Sequence, residues 1–432
     1  MARERARGAA ASNQALGMPT DSFCYDGDTL LCDGVPLADI ARAEGTPAYV
    51  YSAAAIEGAC AALEQAFGGY PHRLHYALKA NSTLAITRLM RRLGTGVDAN
   101  SVGEIEVALR TGFLPDDIVF TGVGKRPDEI ERAVALGVHA INAESAGEID
   151  RIAAAARARG GRARVAVRIN PDVDAGTHPY ITTGIRGSRF GVPIDEAAAL
   201  CRRIAVNPSL RLVGLHVHVG SQIFDVTPLR RAAESLVRVA HGLADDGIAI
   251  EHLDIGGGVG VAYDGGASLS AADYASAILP VVSPTGLTLL LEPGRVIVAP
   301  AGVLLARVID IKGGGGSAAI AVLDAGMTEL IRPALYGAYH RIEPVVRRQG
   351  SQQEYEIVGP LCETSDGFGG ARRMAPLEVG DVLAIRDAGG YGSAMASNYN
   401  RRLFAPEVLV EERRWRVIRR RQTIDDLLAL EA

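Results

Sequence analysis

A single lysine at the end of a short apolar stretch is the first residue whose type suggests chemistry. Residues 73–78 predict a strand that runs into a turn and a helix just after Lys79. Only three of the 45 basic residues are lysines, Lys79, Lys125 and Lys312, although arginine would serve equally well at a solvated position. A lysine amine can lose its proton and form an imine, which a guanidinium cannot do. Taken alone, Lys79 is equally well read as a surface lysine at a strand end.

A glycine cluster after a later strand suggests an anion site. Residues 252–255 form an apolar strand that continues into Gly256, Gly257 and Gly258. Glycines allow backbone amides to approach a phosphate closely. The spacing does not match the dinucleotide pattern G-x-G-x-x-G, because position 261 is a valine. A plain glycine-rich turn is the alternative interpretation.

The next strand ends in Glu292-Pro293-Gly294-Arg295, which places a carboxylate and a guanidinium side by side in the sequence. If the strands form a barrel, these residues follow the eighth strand and the glycines follow the seventh. Barrels commonly bind phosphate at those two loops, so the spacing predicts a phosphate-bearing cofactor. A structural ion pair between Glu292 and Arg295 is the alternative.

Two histidines at positions i and i+2, His216 and His218, lie on one face of the preceding strand. A metal site is considered, but the sequence shows no third histidine or carboxylate pair at metal-ligand spacing. Stacking of one ring on a planar cofactor is the competing interpretation, and Ser221 could add a donor to an anion.

A thiol beside a carboxylate, Cys362-Glu363, lies in a polar turn near the C-terminal end of the chain. A lone cysteine is more often a small buried side chain, but in a polar turn it is better placed as an acid or nucleophile. Three further residues offer donors to a carboxylate or phosphate: Arg332, Tyr336 and Tyr391.

These residues depend on strands that alternate with helical patterns, such as 53–67, 146–158 and 229–244, which favours parallel βα units. Residues 99–105 resemble residues 143–149, and in both a serine precedes a glutamate by three positions. This repeat predicts a serine that caps a helix and a glutamate that reaches back to the amide of the cap residue. The strand candidates are 48–51, 74–78, 97–99, 118–121, 140–142, 163–169, 212–219, 252–255 and 287–291.

Nine candidates exceed the eight strands of a barrel, so residues 48–51 are interpreted as a strand that leads into it, and Lys79 ends barrel strand one. After Arg295 the segments are short, β-rich and separated by Gly/Asp turns. The predicted fold is therefore α/β, a (β/α)8 TIM-type barrel plus a second, mainly antiparallel β domain. The predicted boundaries are a disordered tail at 1–20, an N-terminal segment joining the β domain at 21–45, the cofactor-binding barrel at 46–295, and the β domain with a final short helix at 296–432.

Composition narrows the class of protein. A chain of 432 residues is long enough for two or three domains, and a net charge of -5 gives no sign of nucleic-acid or membrane binding. No apolar run reaches the length of about 18 residues that a membrane span requires. The first 17 residues lack the apolar core of a signal peptide. Five cysteines without framework spacing favour a reducing cytoplasm.

Together these features resemble the diaminopimelate decarboxylase family, pyridoxal-phosphate enzymes with the alanine racemase/ornithine decarboxylase fold (fold type III). The resemblance runs from about Phe23 to the final helix, and its most specific segments are 168–181, 330–336 and 397–400. Departures are confined to Thr328-Glu329, where the family usually has Asn-Asp, and to Thr364, where serine is usual.

The resemblance implies pyridoxal 5'-phosphate as the cofactor and implies no metal. Lys79 matches the lysine that holds the cofactor covalently, His218 the ring that stacks on it, and Glu292 the carboxylate that faces its ring nitrogen. Cys362 matches a catalytic proton donor that reaches the active site of the neighbouring subunit in a head-to-tail homodimer. The implied cofactor-binding residues are Lys79, His218, Ser221, Gly256, Gly257, Gly258, Glu292, Pro293, Gly294, Arg295 and Tyr391. The implied substrate-binding residues are Arg295, Arg332, Tyr336, Glu363 and Tyr391.

The implied reaction is decarboxylation of meso-2,6-diaminopimelate to L-lysine and CO2, the last step of lysine biosynthesis. The alternatives are a decarboxylase of the same fold that acts on another amino acid (ornithine, arginine or carboxynorspermidine type) and a non-catalytic protein that binds pyridoxal phosphate. The expected partners are a small amino-acid substrate and a second copy of the chain, with neither nucleic acid nor membrane.

Overall fold

Eight strands close into a parallel barrel in the computed structural model, which describes residues 22–313 and 318–431. Each strand pairs with the next in chain order, and the last pairs with the first through Leu289 opposite His72. The predicted (β/α)8 barrel is confirmed, while the predicted tail at 1–20 lies outside the described residues. The barrel strands are His72–Ala77, Gly96–Ala99, Ile118–Phe120, Ala140–Ala143, Ala163–Asn170, Leu210–Val217, His252–Asp254 and Thr288–Leu291.

Helices connect the barrel strands, and several begin where the sequence predicts a cap. Ser101 and Ser145 accept hydrogen bonds from the backbone amides of Glu104 and Glu148. Each glutamate reaches back one residue further than predicted, to the amide that precedes the cap residue. The helices of this unit are Leu84–Arg92, Val102–Arg110, Pro127–Leu136, Ala146–Ala158, Ile194–Ala205, Val226–Asp245 and Ala271–Val282. The short strand Val192–Pro193 adds to barrel strand five.

A second compact unit contains the mainly antiparallel sheets, which confirms the predicted β domain. A three-stranded sheet comprises Phe23–Asp26, Thr29–Cys32 and Val35–Pro36. The larger sheet comprises Ala48–Ser52, Gly302–Lys312, Ala319–Leu323, Ile342–Pro344, Gln353–Val358, Arg372–Met374, Val382–Ile385, Glu407–Glu411 and Arg414–Arg419. Its helices are Leu37–Glu44, Arg295–Val298, Arg332–Tyr336 and Ile424–Leu428, and the helix Ala53–Phe67 crosses the division between the units at residue 60.

The strand at 48–51 was predicted to lead into the barrel, but it is a central strand of the larger sheet. Its Val50 lies opposite Val303 on one side and Val408 on the other. Every residue of the strand is buried, and burial on both faces makes such a strand read like a barrel strand in sequence. The boundary between the two compact units therefore differs from the predicted boundary at residue 46. One unit consists of residues 1–60, 262–267 and 295–432.

Buried apolar side chains of the N-terminal segment share a core with the larger sheet. Leu30 and Leu37 pack in one cluster with Val50, Val303 and Val410. Burial of these side chains holds the small sheet and the helix of the N-terminal segment against the larger sheet. Within the described ranges, no helix is both long enough and apolar enough to cross a membrane.

Candidate active site

Lys79 lies directly after barrel strand one, on the single 3-10 turn Leu78–Ala80. Its Nζ donates to Oδ2 of Asp98 at 2.5 Å, and Asp98 belongs to barrel strand two. The same oxygen accepts from Nδ2 of Asn100 at 3.0 Å. Burial alone raises the pKa of the Asp98 carboxyl, but the ammonium of Lys79 outweighs it and holds that pKa below its usual value. The barrel therefore holds Lys79 against a buried anion.

A second acidic group lies across the barrel, where strand eight ends. Glu292 is buried, and its Oε2 is 3.3 Å from Nε2 of His216 on strand six. Burial and the nearby Asp98 raise the pKa of Glu292 to about 8. Burial also lowers the pKa of His216 to about 4, so its ring is neutral. Glu292 is therefore a carboxyl group that takes up a charge readily when a cation lies beside it.

The glycine cluster lies where its backbone is packed too closely for any side chain. A Cβ at Gly256, Gly257 or Gly258 would come within 2.6, 2.2 and 2.4 Å, respectively, of a backbone oxygen. Gly256 and Gly258 also have positive φ angles of 66° and 104°. The amide of Gly257 donates to Nδ1 of His218 at 3.2 Å, which joins the cluster to the predicted ring-stacking residue.

The remaining predicted residues of the barrel unit lie in the same neighbourhood. The carbonyl of Pro293 accepts from the amide of Ala77, two residues before Lys79. A Cβ at Gly294 would come within 3.0 Å of the Cβ of Ala77. Burial and the charge of Lys79 lower the pKa of His218 well below its usual value, so its ring is also neutral. Ser221 is half-buried just beyond strand six.

Arg295, Arg332 and Tyr391 were predicted to bind substrate, and they lie together in the other unit. The guanidinium of Arg295 is 4.4 Å from the centre of the Tyr391 ring and donates to Oη of Tyr263 at 2.8 Å. The guanidinium of Arg332 is 4.2 Å from the centre of the Tyr263 ring. Both arginines are buried. Tyr336 is half-buried on the short helix that Arg332 begins.

His340 holds Arg332 from a second direction. Its Nε2 is 2.7 Å from Nη1 of Arg332, and its Nδ1 is 2.8 Å from the carbonyl oxygen of Arg386. Burial lowers the pKa of His340 to about 3, so the neutral ring donates to the carbonyl and accepts from the guanidinium.

Cys362 and Glu363 are exposed in the same unit, in contact with a segment quoted above for its resemblance to the family. Nδ2 of Asn400 donates to Sγ of Cys362 at 3.4 Å. Oη of Tyr399 donates to Glu363 at 2.8 Å. Cys362 and Glu363 are thus neighbours of the segment 397–400, although 33 residues lie between Glu363 and Ser397 in the chain.

Sequence reasoning missed several polar residues that contact the predicted ones. Asp98 and Asp254 follow apolar residues in short strands, where an acidic residue suggests only a strand end. Tyr263 and His340 have no motif around them. The available signal was the placement of Asp98 and Asp254 near the carboxyl ends of barrel strands, where barrel enzymes keep their functional residues.

The residues of the barrel unit fit pyridoxal phosphate. One oxygen each of Asp254 and Glu292 is buried without a hydrogen-bond partner among the described residues, which suits a cationic ring nitrogen. Three consecutive glycines, Gly256 to Gly258, place backbone amides without side chains after barrel strand seven, and such amides suit a phosphate. Lys79 supplies the amine. The barrel unit thus has glycines for the phosphate of the cofactor, carboxyl groups for its ring nitrogen and a lysine for its aldehyde.

Comparison with known proteins agrees with this fit. Residues 53–299 match the family described as pyridoxal-dependent decarboxylase, pyridoxal binding domain. By class, the protein is a pyridoxal-phosphate-dependent carboxy-lyase. It is 45% identical to the diaminopimelate decarboxylase of Pseudomonas aeruginosa over 412 residues, which cover 95% of this chain and 99% of that one. The chain belongs to the diaminopimelate decarboxylase family, as its sequence predicted.

Solved structures extend this similarity to the fold. The diaminopimelate decarboxylase of Helicobacter pylori in complex with L-lysine is 39% identical, with a TM-score of 0.88 over 91% of this chain and 99% of that one. The M. jannaschii enzyme in complex with L-lysine is 35% identical, with a TM-score of 0.91 over 96% and 98% of the two chains.

Proposed function

We propose that this protein removes CO2 from meso-2,6-diaminopimelate to give L-lysine, the last step of lysine biosynthesis. The observation that carries this proposal is similarity over nearly the whole chain to diaminopimelate decarboxylases, two of which were solved with L-lysine bound. The five cysteines are free of disulfides, in keeping with the cytoplasm as the site of action.

Residues of the barrel unit are assigned to the cofactor. When bound, pyridoxal phosphate supplies an electron sink for the electrons that remain after CO2 leaves. Lys79 would hold the cofactor covalently, and Glu292 would keep a proton on its ring nitrogen. His218 would stack on the ring as a neutral imidazole. Ser221 and the backbone of Gly256, Gly257 and Gly258 would hold the phosphate, together with Pro293 and Gly294.

Residues of the other unit are assigned to the substrate, whose far end carries both an ammonium and a carboxylate. Arg332 and Tyr336 bind the carboxylate, and Glu363 binds the ammonium. Arg295 and Tyr391 contact substrate and cofactor. Ornithine lacks the far carboxylate, so it would leave the buried guanidinium of Arg332 without an anion. This loss supports selectivity for a substrate with two amino-acid ends.

Cys362 is assigned as the acid that delivers a proton from Sγ to the carbon that has lost CO2. It acts in the active site of the neighbouring subunit of a head-to-tail homodimer. Its exposure in the single chain and its contact with Asn400 support a role at a surface that a partner would cover.

A substrate panel tests the proposal. The protein loaded with pyridoxal phosphate is expected to release CO2 from meso-diaminopimelate and not from lysine, ornithine or arginine. Lys79→Ala should abolish both turnover and the absorbance of the covalently bound cofactor, whereas Cys362→Ala should keep the absorbance and lose turnover. Release of CO2 from ornithine or arginine alone would identify a decarboxylase of the same fold with another substrate. Cofactor absorbance without turnover on any substrate would identify a non-catalytic protein.

A further inference from the structure

Asp254, a residue without a role so far, lies buried beside the carboxyl group assigned to the cofactor ring. It ends barrel strand seven, and its Oδ1 accepts from the amide of Gly256 at 2.9 Å. Polar atoms of Asp254, Glu292 and His216 all lie within 4.8 Å of one another. Oδ2 of Asp254 and Oε1 of Glu292 are both buried and accept no hydrogen bond from the described residues. Each carboxyl group thus has one satisfied and one unsatisfied oxygen.

Two buried carboxyl groups at this distance do not both ionise, because each raises the free energy of the other's charge. One proton on the pair removes that repulsion and provides a donor between the unsatisfied oxygens. His216 is neutral, and its Nε2 lies 3.3 Å from the opposite oxygen of Glu292, to which the tautomer protonated on Nε2 donates. The other charged or titratable groups that act on the pair are Asp98, Lys79, Arg168 and Tyr274.

The proton belongs on Asp254 rather than on Glu292. Burial raises the pKa of both carboxyl groups, and the neighbouring Glu292 raises that of Asp254 further. Each carboxyl group has one further neighbour, Nε2 of His216 for Glu292 and the backbone amide of Gly256 for Asp254. Glu292 is the group assigned to the cationic ring nitrogen, and that cation favours an ionised Glu292 while the proton stays on Asp254.

We propose that Asp254 is a positioning residue that stays protonated and donates to Glu292, and that this hydrogen bond keeps Glu292 ionised for the ring nitrogen of the cofactor. This inference rests on the proposed role of Glu292. In the resulting chain, Glu292 accepts from Asp254 on one side and from His216 on the other. When the cationic ring nitrogen lies beside Glu292, two donors then support its charge.

Two substitutions of Asp254 separate this proposal from a structural role. Asp254→Asn keeps an oxygen for the amide of Gly256 and presents an NH2 donor to Glu292. Asp254→Ala removes both. The experiment measures the affinity of the protein stripped of its cofactor for pyridoxal phosphate, by absorbance, between pH 6.5 and 9. Exposed Asp310→Asn is the matched control for loss of a carboxyl group, and thermal unfolding checks that each variant is folded.

Asp254→Asn is expected to bind within about 3-fold of wild type at every pH, because the donor is retained. Asp254→Ala is expected to bind about 10- to 100-fold more weakly near neutral pH, the equivalent of one hydrogen bond to a charged group. Its affinity should recover toward wild type as pH rises, because Glu292 must then lose its own proton. A general packing defect would instead weaken binding equally at all pH values.

Three results would overturn the proposal. Binding by Asp254→Asn that is as weak as binding by Asp254→Ala would mean that Asp254 acts as an ionised acceptor. Wild-type affinity of both variants at all pH values would mean that Asp254 does not support Glu292. Cofactor binding by the wild type that Zn2+ blocks and EDTA restores, in a manner that requires Asp254, would mean that a cation joins the oxygens. Failure of the wild type to bind pyridoxal phosphate would instead refute the proposed function.

Discussion

Lys79 has two properties that can be separated by substitution: its positive charge and the ability of its amine to form an imine. The charged Nζ forms an ion pair with the fully buried Asp98, and this ion pair holds the lysine at the end of barrel strand one. Removing one partner of a buried pair leaves an uncompensated charge, which destabilises a protein more than the intact pair stabilises it. Substitution of Lys79 therefore affects stability as well as chemistry, and a suitable pair of variants distinguishes the two.

Lys79→Ala should lower the free energy of unfolding by about 1–3 kcal/mol at neutral pH. This loss is smaller than for a fully buried ion pair, because the lysine is one-third exposed and solvent screens its charge. The paired Asp98 has a depressed pKa, so its stabilisation is present above the unfolded value near pH 4 and disappears as pH falls below it. In Lys79→Ala the unpaired Asp98 is left with a pKa that burial raises, so it takes up a proton at a higher pH than in the wild type, where its pKa is about 2. The deficit should therefore begin to shrink above pH 4 and continue to shrink as the pH falls. Urea unfolding at several pH values measures it.

Lys79→Arg is the control, because it restores the positive charge and cannot form an imine. We expect it to regain most of the stability and none of the covalent cofactor absorbance. If Lys79→Arg were as unstable as Lys79→Ala at pH 7, the ion pair with Asp98 would not explain the loss.

At the scale of elements, the loops after strands seven and eight are packed against each other through backbone. The carbonyl of Gly256 accepts from the amide of Glu292 at 2.7 Å, and Gly257 leaves no space for a Cβ against the carbonyl of Glu292. The glycine turn thus determines where the backbone of Glu292 lies.

Gly257→Ala should weaken binding of pyridoxal phosphate at least about 10-fold, because the new Cβ forces the two loops apart by more than a side chain can absorb. Cofactor titration followed by absorbance measures the loss. Gly242→Ala is the matched control: it lies in the helix Val226–Asp245 with open space around it. That change should stabilise the fold by about 1 kcal/mol. Equal affinities for both variants would contradict the prediction.

Three buried histidines on or beside the barrel strands make its stability depend on pH. The rings of His75 and His252 each lie 5.3–5.7 Å from that of His139, and burial lowers the pKa of all three. The value for His252 falls to about 3. Below the usual histidine pKa, the unfolded chain binds protons that the folded barrel does not bind. The free energy of unfolding must therefore decrease as the pH is lowered.

We expect His252→Gln to reduce the slope of unfolding free energy against pH by up to about 1.4 kcal/mol per pH unit between about pH 6 and 4. His241→Gln, at an exposed helix position, is the matched control for the loss of an imidazole. The comparison is of slopes from thermal or urea unfolding, so an overall loss of stability in His252→Gln does not affect it. A wild-type slope retained in His252→Gln would show that this ring is protonated in the fold.

At the scale of the whole molecule, the proposed homodimer distributes each active site over two chains. Lys79 lies in the barrel unit and Cys362 in the other unit, which also provides the contacts of Asn400 and Tyr399 to the polar turn. If Cys362 serves the neighbouring subunit, each site needs one group from each chain.

Mixing Lys79→Ala with Cys362→Ala should therefore restore activity that neither variant has alone. With equal mixing, half of the dimers are hybrids, and one of their two sites is intact, so about a quarter of wild-type activity is expected. CO2 release after refolding or exchange of the mixture measures it. Mixing two preparations of Cys362→Ala is the control. An inactive mixture that demonstrably contains hybrid dimers would mean that Lys79 and Cys362 of the same chain act together.

The sequence by itself determined the barrel, the β domain and the family. Apolar strands alternate with helical patterns at regular intervals, and the segments 168–181 and 330–336 have the family's residue types in order. Such features depend on local periodicity and on short stretches of contiguous chain. Local pattern does not distinguish the two sheets for residues 48–51, because a strand that is buried on both faces has the same apolar sequence in the barrel and in the larger sheet.

Only the tertiary structure decided which residues act on one another. Asp98 with Lys79, Asp254 with Glu292, and His340 with Arg332 join positions that no local pattern connects. Their protonation depends on burial and on charges brought close by the closed barrel or by the folded sheet, which are long-range properties of packing. Lys79 could be picked out from its residue type alone, but its buried partner became visible only when strands one and two were paired.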